Sequence, residues 1–265
     1  MDSDGFTTTN NALIAGSSQT YGAWAWKCNG GTTSTNSDGT VNTTMQLNAT
    51  AGISIITWTG NGSNTGTVGH GLGAIPDCII VKNREATQNW SVAFPKFETS
   101  KLLALNLDSS FFSASGLSSY NTSTFVDGSG SSSEDYIAYC FKEIEGYSKF
   151  GTYNGNDATN GSFVYTGFAP AFLILKYSSG SAGGTKNWLM FDNKRSPDNV
   201  NDNTFNANAA DGETADSNKD LDFLSNGFKL RSTNSGGNAS SGTYIYMAFA
   251  EHPFVSSDGV PCTAR

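Results

Sequence analysis

The chain has 265 residues and a formal net charge of −8, with 15 Lys and Arg against 23 Asp and Glu. That balance argues against nucleic acid as a partner, because affinity for phosphate backbones rests on Lys and Arg. Charged residues are 14% and aromatics 12%, which excludes a solvated, disordered polymer. No apolar stretch reaches the ~20 residues that a spanning helix needs, so membrane insertion is not expected.

Gly, Ser, Thr and Asn are abundant, a mix that suits short strands joined by many turns. Residues 1–30 read as terminal strands of a partial repeat. Asp4-Gly5-Phe6 followed by Tyr21–Lys27 (YGAWAWK) parallels Asn226-Gly227-Phe228 followed by the strand that opens at Tyr244. The front half of this first unit is missing. The preferred reading is that the chain is the C-terminal piece of a longer protein. Alternatively its first two strands complete a sheet elsewhere, since an orphan hairpin is marginally stable alone. No signal-peptide pattern opens the sequence.

Residues 31–51 read as a polar connector packed on a module, with Val41, Met45 and Leu47 hinting at a weak strand after the Asp38-Gly39 turn signal. Residues 52–146 form a first module. Its predicted strands are Ile53–Thr59, the apolar run Cys78–Val81, Trp90–Phe94 and the closing Tyr136–Phe141. Lys101–Leu107 is too short for periodicity to decide between helix and strand. Residues 147–265 form a second module with a C-terminal tail, with strands at Lys149–Tyr153, Phe172–Leu175 and Tyr244–Phe249. The two continuous apolar runs are those of strands buried on both faces.

The modules repeat one another. Pro76 and Pro170 each precede an apolar run and stand six places before a Lys. Asn89-Trp90 and Asn187-Trp188 follow, and Tyr136 and Tyr244 open the closing strands. The offsets, 94 residues between the prolines and 108 between the tyrosines, are those of a duplicated domain, not of a solenoid. The expected fold is all-β: tandem antiparallel β-sandwich modules, internally duplicated. Trp90 and Trp188 recur at one position, so a core role is expected of both, ahead of a sugar-stacking platform with Trp58, Tyr153 and Phe163.

Ser196–Asp220 is a long polar insertion peculiar to the second module, and long loops are often functional. Asp198, Asn199, Asn201 and Asp202 are therefore the candidate ligand-binding residues, with Asn203 beside them. Calcium takes six to eight oxygens, so Asp198, Asn201 and Asp202 are candidate calcium ligands; the string departs from the EF-hand pattern, and a solvated turn is the plainer reading. No other cofactor is expected. Asp211, Glu213, Asp216, Asp220 and Asp222 could supply a glycosidase pair, but acidic clusters usually face water. His70, in a Gly-rich turn, has no nameable nucleophile or acid beside it. No catalytic residue is therefore named, and no enzyme is expected. Cys28, Cys78, Cys140 and Cys262 form no CxxC and read as small hydrophobes; a Cys78–Cys140 bridge is open, although the second module has Phe172 and Ala248 there.

The strings Thr59–Gly62, Val68–Asp77 and Ile79–Lys82 resemble a domain of marine bacteriophage structural proteins. So do Gly30-Gly31, Asn36–Gly39, Ala51–Ile55 and the closing Ser257–Arg265. Such proteins are labelled tail-fibre or virion proteins and sit beside concanavalin A/laminin G-like sandwiches. The resemblance implies jelly-roll or concanavalin A-like modules on the phage particle surface. It further implies a homo-oligomer, with a trimer as candidate, among other virion proteins. The expected function is a tail-fibre or spike adhesin that binds a host surface glycan or receptor. A capsid decoration, head-fibre or shaft protein is the alternative, and a polysaccharide depolymerase stands third.

Overall fold

The computed structural model describes residues 6–8, 16–113, 116–215 and 217–253. Asp4, Gly5, Asp216 and the Ser257–Arg265 tail with Cys262 lie outside the described residues. The first half contains β1 (Ser34–Asn36), β2 (Thr43–Asn48), β3 (Ile53–Asn61), β4 (Gly66–Gly69), β5 (Cys78–Asn83), β6 (Ser91–Phe94), β7 (Glu98–Ala104), β8 (Phe112–Ser113), β9 (Leu117–Ser118), β10 (Thr124–Asp127) and β11 (Ser132–Phe141). The second contains β12 (Ser148–Asn154), β13 (Phe163–Tyr165), β14 (Pro170–Gly180), β15 (Leu189–Asp192), β16 (Asn203–Asn206), β17 (Thr214–Ala215), β18 (Leu221–Leu224), β19 (Gly227–Leu230) and β20 (Gly242–Ala250). The protein is all-β and every strand pairing is antiparallel. No helix of the described residues is long and apolar enough to cross a membrane.

Each half has a large sheet and a small one. The large sheets run β1-β2-β3-β11-β5-β6-β7-β8 and β12-β20-β14-β15-β16-β17; the small ones run β4-β10-β9 and β13-β19-β18. Strand order thus recurs with the sequence motifs: opening strand, closing strand, apolar strand, Asn-Trp strand. Between each large and small sheet lies a core with the same aromatic arrangement. Trp58 stacks on Tyr136 at 5.4 Å and meets Phe125 edge-on; Tyr153 stacks on Tyr244 at 5.1 Å and meets Phe228 edge-on. Such contacts contribute about 0.5–1.5 kcal/mol each beyond buried area. Polar tips are satisfied: Trp58 Nε1 donates to Asp127 Oδ2 and the Tyr153 hydroxyl to the Gly237 carbonyl.

A third apolar cluster lies between the two large sheets, which pack face to face. Ile53, Cys78, Val92 and Phe141 of the first half meet Phe150, Phe172, Trp188 and Phe249 of the second. The apolar runs are therefore buried on both faces because of alternation. Ile79 and Val81 enter the first module's own core, and Leu173 and Leu175 the second's, while Cys78 and Phe172 enter the seam. Hydrogen bonds also cross it: Phe111 N donates to the Ser178 carbonyl at 2.9 Å, and the indole Nε1 of Trp188 to the Ala104 carbonyl at 2.9 Å.

The Asn-Trp motif is a clasp. Trp90 N donates to Asn106 Oδ1, whose amide donates to Asn89 Oδ1; Trp188 N, Asn208 and Asn187 repeat the pattern. The Lys of each copy donates to the carbonyl just before the motif, Lys82 to Gln88 and Lys176 to Lys186.

Three expectations are corrected, and two open alternatives, at Lys101–Leu107 and at Cys78 and Cys140, are resolved. Residues 31–51 are not a connector: β1 and β2 extend the large sheet, and Gly39 in their turn abuts β4, where a Cβ would collide with the Thr67 carbonyl. Tyr21–Lys27 is not a paired strand; among the described residues none before Ser34 is in a sheet. It runs along the seam, with Trp24 and Trp26 packed on Phe172. Within Lys101–Leu107, Lys101–Ala104 belongs to β7 and the last three residues turn out of it. The Ser196–Asp220 insertion carries β16 and β17, which widen the second large sheet. No Cys78–Cys140 disulfide exists. Both thiols are free, and Cys78 pairs with Phe141 while Cys140 pairs with Ile79, so adjacent strands present them to opposite faces.

Candidate functional site

The outer face of the first large sheet changes character along its length. Register aligns its rows across β2, β3 and β11. Ile53 lies beside Phe141 and Ile55 beside Tyr139; then Thr57 lies beside Ile137 and Thr44, and Thr59 beside Asp135. The first two rows are apolar and covered by the second module. The last two are largely polar, and the strands run on beyond the seam into solvent. There Asn42, Thr44, Thr57, Thr59, Arg84 and Asp135 line a groove of about 270 Å³.

Asp135 is held in place from three sides. Thr59 Oγ1 donates to its Oδ1 at 2.7 Å, its N–H donates to Glu85 Oε2, and its carbonyl accepts Arg84 N at 2.8 Å. Beneath the groove Glu134 is braced by hydrogen bonds from Ser131, Asn83 and Tyr136, which hold its carboxyl below the usual carboxylate range. The groove therefore offers hydroxyls, an amide, a guanidinium and a carboxylate on a rigid sheet. Such groups recognise a polyhydroxylated ligand by hydrogen bonds. In the second module the strand in line with Lys82 is covered, with Lys176 and Ser178 buried beneath residues 107–111. The counterparts of Thr57, Thr59 and Asp135 are Thr152, Asn154 and Thr243, the first two exposed and the third half-buried, and they supply neither a guanidinium nor a carboxylate.

The residues expected to form a ligand loop have other employment. Asn199 exchanges two hydrogen bonds with the backbone of Phe223. Asn201 is fully buried, its amide donating to the carbonyls of Asp192 at 2.9 Å and Ser196 at 3.2 Å. Asp198 is exposed and Asp202 half-buried. Asn201 thus pins the insertion to β15. Asn201→Ala should lower unfolding free energy by about 1–3 kcal/mol, the cost of stranding buried carbonyls, as read by urea denaturation; an unchanged midpoint would refute the pinning role. Among the described residues no group of three His, Cys, Asp or Glu is arranged to hold a metal ion.

The acidic cluster is dispersed. Asp222 accepts Arg231 Nε at 2.5 Å, Glu213 lies 3.4 Å from Arg195, and Asp211 is exposed. His70 is buried: Nδ1 accepts Leu72 N, and Nε2 lies 3.2 Å from the Asn121 carbonyl. Burial lowers its pKa below the ordinary value, in keeping with a neutral turn histidine. Of the proposed stacking platform, Trp58, Tyr153 and Trp188 are buried, Trp90 is half-buried and Phe163 is exposed.

Residues 1–253 match the model of a domain of unknown function, DUF7483. The chain belongs to that family. Comparison with curated proteins and with solved structures gives no match. The DUF7483 match spans both modules and the segment before β1, so the seam and the groove both fall within the family's domain.

Proposed function

We propose that this DUF7483 chain is a non-catalytic phage virion surface protein, a tail-fibre or spike adhesin, that holds a host glycan in the groove of its first module. The observation that carries the reading is the switch from apolar to polar rows on one sheet face, which leaves six hydrogen-bonding side chains on a rigid platform. Polar sites of this kind are weak singly, and a homo-oligomer, with three copies as one candidate, would multiply them through avidity. The phage setting rests on the sequence resemblance.

The test is binding of labelled residues 1–265 to immobilised host-surface polysaccharide. Asp135→Ala and Arg84→Ala should each weaken binding about tenfold, roughly 1.4 kcal/mol, with the unfolding midpoint preserved. Binding that ignores both substitutions would remove the groove from the reading. No binding by a folded oligomer would favour the alternative, a capsid decoration, head-fibre or shaft protein, which the fusion of the two modules through a hydrophobic seam also suits.

A further inference from the structure

The seam between the modules is not filled. A cavity of about 470 Å³ remains there, within the ~300–1,000 Å³ range of small-molecule sites. Trp90, Ile55, Ile80, Tyr139, Ile174 and Met190 line it, all only half-buried. Among the described residues no charged side chain lines it. An apolar chain fits such walls, and Met190 and Met247 supply the adaptable contacts that suit a flexible hydrocarbon.

Two further observations define the ligand. First, the cavity's cover is held by side chains alone. Trp24 and Trp26 pack over it, yet Gly22–Trp26 make no backbone hydrogen bond among the described residues. The cover can therefore lift without breaking a ladder, and exposed Gly30 and Gly31, both at positive φ, follow it in the chain. Second, a smaller cavity of about 310 Å³ shares Trp24 and Phe172 with the large one and is lined by Asp192, Lys194 and Arg195. Arg195 already bonds Asp192 at 2.6 Å. Lys194 is 78% exposed and pairs with Glu251 at 3.7 Å, a long contact that leaves donors of its three-donor ammonium for a second anion.

We propose that the seam binds one long-chain fatty acid, its hydrocarbon in the apolar cavity beneath Trp24 and Trp26 and its carboxylate at Lys194. A single-chain amphipathic anion matches both compartments. A bilayer phospholipid would offer similar chemistry, and the two sources are separable. The proposal does not depend on the glycan groove, which lies beyond the seam on the first large sheet.

Titration of residues 1–265 with cis-parinaric acid, whose polyene fluoresces in apolar surroundings, tests it. One-to-one saturation is expected, with weaker binding of the methyl ester. Ala207→Trp, at an exposed position on the cavity wall, should weaken both probes by about tenfold or more by occupying the chain's space. Lys194→Gln, on the surface and safe for folding, should weaken the acid about fivefold and leave the ester unchanged. Absence of saturable binding, or binding indifferent to Ala207→Trp in a folded variant, would overturn the site. Equal binding of acid and ester, or indifference of the acid to Lys194→Gln, would overturn the carboxylate assignment. Displacement by phosphatidylglycerol vesicles but not by free oleate would overturn the fatty acid in favour of a bilayer lipid.

Discussion

Trp188→Ala should destabilise the protein by about 3–5 kcal/mol, the range for emptying a buried aromatic site, whereas Trp90→Ala should cost roughly 1 kcal/mol, as expected for a half-exposed side chain. The two tryptophans hold one position in the repeat and share one backbone clasp. They differ in what lies over them. Trp188 is 1% exposed and donates its indole N–H across the seam to the Ala104 carbonyl at 2.9 Å. Trp90 stands half-buried on the wall of the seam cavity. Trp188→Phe separates the parts of the effect: it keeps most of the apolar bulk but strands the Ala104 carbonyl, at about 1–3 kcal/mol. Urea denaturation of the three variants measures this. Equal losses at positions 90 and 188 would mean that the seam does not bury one face of the repeat in preference to the other.

That asymmetry marks how far the sequence could be read. The all-β class and the central strands of each large sheet, β3, β5, β6, β11, β12, β14 and β20, were legible, because two-residue alternation and turn residues are local signals; the short strands of the two small sheets were not. The run Cys78–Val81 was legible as buried on both faces. Its second cover, the other module, was not, since nothing local distinguishes one apolar layer from another. β1 and β2 were hidden by polarity: an edge ribbon with one face in water needs few apolar residues, and only Met45 of β2 is a buried hydrophobe. Tyr21–Lys27 has the sequence of a closing strand, but propensity does not supply neighbours, and among the described residues no opening strand precedes it. The groove was missed for a different reason. Its six residues are scattered from Asn42 to Asp135 and meet only through strand register. One clue was present: along β3 the same-face series Ile53, Ile55, Thr57, Thr59 turns from apolar to polar, which is what a sheet face looks like when it is covered at one end and open at the other. The insertion drew notice by its length, yet Asn199 and Asn201 serve its own folding.

Raising pH from 8 to 10.5 should stabilise the wild type relative to Lys176→Met by about 1.4 kcal/mol per pH unit, about 3 kcal/mol over the window. Lys176 is fully buried at the module junction, 5.5 Å over the Trp188 ring, and donates to the Lys186 carbonyl at 2.6 Å and the Leu107 carbonyl at 3.5 Å. Burial takes its ammonium out of water and lowers its pKa from 10.5 to about 8, against the opposing pull of Asp108. Between those values the unfolded chain keeps a proton that the folded chain has shed, so stability rises with pH; below 8 both states are protonated and the slope vanishes. Other groups act in the opposite sense. Burial raises the thiols of Cys78 and Cys140 above their ordinary 9.0 and pushes the Tyr244 and Tyr246 hydroxyls up to about 12. Above pH 9 the unfolded chain ionises these groups while the folded one cannot, and total stability falls. Subtracting the Lys176→Met curve removes that shared decline and leaves the lysine alone. The measurement is urea denaturation of both proteins under reducing conditions at four pH values from 7.5 to 10.5, and a difference that does not change with pH would show that Lys176 keeps its proton in the fold. A sloping difference would mean that the seam is held at neutral pH against a buried charge. It would also make the junction tighten as that charge is lost, because the Lys82 copy, half-exposed on the open part of the same face, has no second module above it.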